Sequence, residues 1–482
     1  MSVCRFLYNI DNNMNAMRYG SGLVLFLIMM ILTAGNFIWA QTDLPEIQTD
    51  NSQMIQIEIL NEIVQHLEKR DFPKALHLFD SLPPEEAAKT PVRIMQATVL
   101  ISAGRTAEAK SIANSILTTD SANTDAIMVL ADAAAVENKP RERRVFLDRI
   151  ISINPHHVRA LNDLGNISLG NRNLRIAAGY FDRALAADPD NGEALVNRAS
   201  VYRYAREQQN AERLLNRAIG LYPKWARPFH ERARLYRSAQ LIEDALEDLN
   251  AALALEPNNY WILVDHGSVL VDLQRKPEAL QSFNRAIRIE PNIFMAYVYS
   301  AGIKDELGDY AGAEHDYSVL ARLRPDYYFA FEALGVLRMR NKQWAPARDA
   351  FLEAYKQAPK EYSYAILASL NWMRAGRQTD PKQFLAQVLR TAPRDSLDHA
   401  MMRVLHDLSG DIELAGRIEK EQNVPLKTRM MYYMASFYDI RGSRTLADRY
   451  FLMVKDINTP SGVEWILNEM AITERKLIQE KK

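Results

Sequence analysis

The chain has 482 residues, 48% hydrophobic and 25% charged, the balance of a folded chain rather than of a disordered or membrane-filling one. Its 59 Lys and Arg stand against 60 Asp and Glu, which argues against a nucleic-acid binder, since that role needs a cationic excess. The single cysteine, Cys4, excludes disulfides, thiolate metal sites and a catalytic cysteine from the main body.

Near the N-terminus, Leu23–Leu32 reads LVLFLIMMIL, an unbroken apolar run behind Arg18 and ahead of a small residue, Ala40. A basic flank, a short apolar stretch and a small residue are the features of a secretory signal peptide, with Met14 and Met17 as alternative starts. Residues 21–40 are also about long enough to cross a bilayer as an uncleaved anchor. Both readings of residues 1–40 place the rest of the chain outside the cytoplasm, in the periplasm or on a membrane anchor. No cysteine stands after the run to carry a bacterial lipid. Residues 41–55 are expected to be a polar linker.

Beyond the linker a stop signal recurs. Proline inside a helix removes a backbone hydrogen bond and clashes with the preceding turn. Pro155, Pro189, Pro223, Pro257, Pro291, Pro325, Pro359 and Pro393 stand at constant intervals of 34 residues. A fixed period of this size means units that bury their apolar faces against their neighbours. In residues 158–191, Leu161, Leu164, Gly165 and Ser168 share one face of a first helix. A Gly/Asn break, LGNRN, comes next. Ala177, Phe181 and Ala184 then mark a second helix that Pro189 ends, so each unit is an antiparallel helix pair.

The pattern resembles the tetratricopeptide repeat (TPR) family, with large apolar residues at positions 4 and 7 and a small one at 8. Ala at 20, an aromatic near 24, Ala at 27 and Pro at 32 complete it. Residues 260–293 match through Leu263, Gly267, Leu270, Ala279, Phe283, Ala286 and Pro291, and residues 328–361 through Phe331, Leu334, Gly335, Ala347, Phe351, Ala354 and Pro359. The resemblance implies an all-α, right-handed superhelical solenoid of about twelve helix-turn-helix repeats over residues 56–459, with a capping helix in 460–482. Two units are degenerate. In residues 362–395, Pro381 replaces the expected small residue, so the second helix is expected to start late. Residues 396–427 fit poorly.

In the family the first helix of each pair lines a concave groove. With positions 4, 7, 8 and 11 buried, positions 2, 5, 9 and 12 lie on another face. The units from Val158 to Arg237 offer there Asn162, Asn166, Arg227, His230 and Arg234, with Asn197 one step round. Asn can pair with the amides of an extended peptide and Arg can grip carboxylates. Asn166, Asn197 and Arg227 partly resemble the carboxylate clamp by which some TPR domains hold a C-terminal tail, but Glu231 and Asn162 stand where that clamp carries bases. Farther on, Trp261, Met295 and Phe329 at position 2, with Val264 and Val298 at position 5, make either an exposed apolar stripe or ordinary inter-repeat packing.

No catalytic arrangement, phosphate-binding loop or metal-ligand spacing is present in the motifs, and no cofactor is expected. His156–His157 read as a surface turn, and His399 and His406 lack further ligands. The sequence therefore points to a non-catalytic scaffold that binds a protein or extended peptide in its groove. The alternatives are a small-ligand or glycan site that stacks on Trp261, and a structural homo-oligomer that associates through its C-terminal units.

Overall fold

The computed structural model describes residues 51–377, 379–457 and 462–477. The expected signal or anchor (1–40) and residues 41–50 of the linker lie outside them, as do both ends of the expected capping segment. The first helix begins at Asn51, so the last five residues of the expected linker are helical. No Pro or Gly falls between Asn51 and Phe72 to interrupt that helix.

Among the described residues every regular element is a helix, in two units that divide after Leu255. The first unit holds α1 (Asn51–Glu68), α2 (Phe72–Asp80), the single turn α3 (Pro84–Ala87), α4 (Thr90–Ser102), α5 (Thr106–Thr119), α6 (Thr124–Val136) and α7 (Pro140–Ile153). It continues through α8 (Val158–Gly170), α9 (Leu174–Ala187), α10 (Gly192–Tyr204), α11 (Gln208–Leu221), α12 (Ala226–Ser238) and α13 (Ile242–Leu255). The second holds α14 (Tyr260–Asp272), α15 (Lys276–Ile289), α16 (Met295–Glu306), α17 (Tyr310–Leu323), α18 (Tyr328–Arg340), α19 (Trp344–Gln357) and α20 (Tyr362–Arg374). It ends with α21 (Thr379–Val388), α22 (Leu397–Asp407), α23 (Asp411–Lys420), α24 (Val424–Ile440), α25 (Arg444–Ile457) and α26 (Val463–Arg475). Setting α3 and α26 aside, these are twelve helix pairs, each packed on the next within its unit.

Three local devices fix the repeat. The first is the turn inside each pair. Ten residues from Arg70 to Gly376, spaced 34 apart, all adopt left-handed backbone with φ of 55° to 81°. Only Gly104, Gly308 and Gly376 among them are glycine. Between α8 and α9 it is Arg172 that turns, not the neighbouring Gly170 or Asn171. The amide three residues past the first helix then bonds back five residues, as Asn173 N–H does to Ser168 O at 2.9 Å, so the helix ends in a Schellman-type cap. The second device is the close approach of the pair. A Cβ built on Gly165, Gly267 or Gly335 would lie 2.3, 2.7 or 2.5 Å from the ring of Phe181, Phe283 or Phe351. At Ala199 and Ala233, where position 8 is alanine, the facing residue is the smaller Leu215 or Leu249, although Ala301 and Ala435 stand opposite Tyr317 and Phe451.

The third device stitches two of the proline turns to the next pair. Pro155 and Pro257 carbonyls accept from Arg183 (3.0 Å) and Arg285 (2.9 Å), both at the same position of the next pair's second helix. Just past the turn, Asn123, Asn191 and Asn259 cap the next first helix; Asn259 Oδ1 accepts from Trp261 N–H at 3.0 Å and Ile262 N–H at 3.3 Å. His157 does the same with its ring Nδ1, which accepts from Ala160 N–H at 3.2 Å, in keeping with a turn role for His156–His157.

The degenerate pairs depart in specific ways. The second helix α21 starts only one position later than its neighbours: it begins at Thr379 and takes Pro381 into its first turn, where the missing N–H has no intrahelical partner to lose. It also ends early, at Val388. The pair α22–α23 has helices of 11 and 10 residues, with Leu408 and Gly410 both left-handed between them.

Candidate functional site

The sequence placed its groove residues on α8, α10 and α12 in the first unit and on α14, α16 and α18 in the second, and the two sets fare differently.

In the first unit the polar residues form a bonded lattice that runs from pair to pair. Asp132 on α6 is buried and accepts from Arg159 on α8 at 2.8 and 3.0 Å. Burial pushes the Asp132 carboxyl above its ordinary range, against the pull of Arg159. Asn162, also buried, donates through Nδ2 to Asn191 Oδ1 at 3.2 Å, the atom that already caps α10. Arg227 on α12 bridges to α10, where one arm pairs with Glu193 and the other donates to Asn197 Oδ1. Glu231, buried, gathers Arg234 at 3.2 Å, Ser200 at 3.4 Å and Arg203 at 3.7 Å. His230 is buried and Asn166 half-buried.

This lattice brings Asn197 and Arg227 together, but not as a free carboxylate clamp. Glu193 already neutralises Arg227, and Glu231 puts a carboxylate where a clamp needs a base. The pairing was legible in one respect: Glu193 and Arg227 lie 34 apart, at position 2 of consecutive pairs, so opposite charges meet across the repeat. Glu231 as a hub was missed, because position 6 is not on the groove face of the helical pattern.

The lattice leaves atoms over. Asn162 Oδ1, Asn197 Nδ2, Arg203 Nε and Arg227 Nε are buried with no hydrogen-bond partner. They amount to one acceptor and three donors on three successive first helices.

In the second unit the expected apolar stripe is broken. Val264, Met295 and Val298 are buried, exposed by only 4%, 5% and 8%. Only Trp261 and Phe329 keep partial exposure, and both lean on aromatic neighbours. Tyr260 meets Trp261 edge-on at 4.9 Å, and Tyr328 stacks on Phe329 at 4.2 Å. The packing alternative therefore holds for the three aliphatic positions, and the face that a sugar would stack on at Trp261 is shared with Tyr260. Tyr260 instead joins pairs, since its hydroxyl accepts from Ala296 N–H at 3.1 Å and caps the next first helix.

The family model described as tetratricopeptide repeat matches residues 162–224, 230–292 and 304–362, the first two beginning at the same position of the helix pair. The chain carries tetratricopeptide repeats. Solved TPR-type structures resemble parts of it. PilF of Pseudomonas aeruginosa is 19% identical and covers 43% of this chain and 94% of its own, with a TM-score of 0.39. YrrB, described as a TPR protein with an unusual peptide-binding site, is 20% identical over 39% of this chain and 95% of its own, with a TM-score of 0.34. A tetratricopeptide repeat protein from Parabacteroides merdae is 18% identical over 52% of this chain and 98% of its own, with a TM-score of 0.34. No curated protein matches the chain. TPR proteins are in general interaction scaffolds rather than catalysts, and they bind protein or peptide partners. Among the described residues no group of three His, Cys, Asp or Glu is placed to hold a metal ion, and no helix is long and apolar enough to cross a membrane.

Proposed function

We propose that this TPR protein is a non-catalytic adaptor that holds an extended segment of a partner protein along α8, α10 and α12, outside the cytoplasm. The observation that carries the reading is the row of polar side chains on three successive first helices, of which Asn166, Arg203, Arg227 and Arg234 keep partial exposure. A peptide bond offers one donor and one acceptor, which match the carboxamide of Asn166. The cationic groups nearby are already paired with Glu193 and Glu231, so recognition runs through the main chain and not through a terminal carboxylate. The extracytoplasmic setting is supported by the apolar run Leu23–Leu32 alone.

Selection of a random-peptide phage library against the chain tests this. Unstructured peptides should be enriched, and Asn166→Ala should weaken their binding by roughly three- to tenfold, the loss of one hydrogen bond. The urea midpoint of the variant serves as the folding control. Equal binding by the folded variant would sink the reading. Cell fractionation tests the location; recovery in the cytosol would overturn it.

A further inference from the structure

The last helix of the second unit does more than close the last pair. α26 packs on α24 and α25 as a cap would, but it also reaches α18, the first helix of a pair three pairs back. α20 likewise meets α24 across the pair between them. First helices of four consecutive pairs thus turn in on themselves, and α26 fills the concave face that they leave. Its buried face is Glu464, Leu467, Asn468 and Ile472. Leu467 and Ile472 belong to the same apolar cluster as Val336 and Met339 of α18. Tyr433 O–H donates to Glu464, Asn468 Nδ2 donates to Phe451 O at 3.2 Å, and Lys342, just past α18, pairs with Glu474.

Two independent features set this contact apart from a permanent core. It is short of polar partners: Asn468 Oδ1 and Arg475 Nη2 on α26, with Asn371 Oδ1, Arg374 Nε and Arg429 Nε on α20 and α24, are buried and unbonded. The two on α26 subtract from the docking, since undocking would return them to water. The cluster is also rich in methionine, with Met339, Met373, Met401, Met402, Met430 and Met434 buried in it. Among the described residues, the clusters of the first unit contain Met95 and Met128 alone. Unbranched thioethers let a surface repack around helices of different shape, which is how Met-rich grooves accept exchangeable helices.

We propose that α26 is a displaceable occupant of this groove, held there by the chain itself, and that an amphipathic helix of a partner protein takes its place. The partner helix presents the face that α26 now presents: a Leu and an Ile five residues apart, a carboxamide beside the Leu, and acidic residues at its flanks. The groove of the first unit is not involved, so failure of the main-chain reading there leaves this proposal standing, and the reverse.

The probe is a fluorescent synthetic peptide of residues 462–477. The protein is the full chain with Lys342→Cys and Glu474→Cys, and with Cys4→Ser to remove the native thiol. A short bis-maleimide joins the two positions and locks α26 down. The peptide should bind the unlinked chain, and the link should weaken that binding by about tenfold or more. In the unaltered chain, amides of α26 should exchange with solvent faster than those of α24. Binding that is equal in linked and unlinked protein, or absent from both, overturns the proposal. So does exchange in α26 as slow as in α24, which would make it a permanent cap.

Discussion

A methyl group on Gly267 would sit 2.7 Å from the ring of Phe283, and that ring is fully buried, so it has nowhere to go. Gly267→Ala should therefore cost about 1–3 kcal/mol by overpacking, read as a lower urea midpoint. Adding Phe283→Leu should recover part of the loss, because the chain itself pairs Ala199 with Leu215 and Ala233 with Leu249. A double variant less stable than either single change would show that the pairing is incidental. The left-handed turn residues allow a cleaner experiment. A Cβ on Gly308 would meet nothing within 4 Å, so Gly308→Ala probes the backbone alone and should cost about 1 kcal/mol. Arg172→Gly, at the equivalent exposed position, should be neutral or stabilising by up to about 1 kcal/mol. Equal effects of the two changes would mean that the turn carries no strain.

At the scale of the helix, the side chain of Asn259 closes the N-terminus of α14 through two backbone amides, and Asn259→Ala should cost about 1 kcal/mol. A thermal shift within error would show that water replaces the cap. On α26, burial raises the carboxyl of Glu464 from the ordinary 4.5, and burial likewise raises Glu332 on α18. A carboxyl whose folded value is raised lends stability that is complete below about 4.5 and lost as pH rises through the folded value. The docking of α26 should therefore tighten as pH falls from neutral towards 5. Glu464→Gln, which can still accept from Tyr433, should stabilise the neutral protein and flatten this dependence. Denaturation of both proteins at the two pH values checks it, and a variant weaker at neutral pH would mean that the ionised carboxylate is wanted there. The helices themselves were legible in the sequence, because apolar spacing and eight in-phase prolines state them directly. The start of α21 was not, since Pro381 looks like a breaker but lies in the first turn, where it breaks nothing.

At the scale of the molecule, twelve pairs and their period could be read from the residues, yet the groove could be read only in part. A position-2 side chain points along a known face, but whether it is free depends on the neighbouring pair. Arg227 meets Glu193, Met295 is buried, and Trp261 shares its surface with Tyr260. The most regular backbone feature was also the least visible, because seven of the ten left-handed turn residues are Arg, Asn, Gln or Lys and not glycine. That same turn, with the proline stop, gives the array a quantum of length. Each regular interface in it presumes a neighbour 34 residues away, so that part of the gene can grow or shrink only by whole units. Excising residues 192–225 would join one intact half-interface to another; excising half as many would leave a first helix where a second belongs.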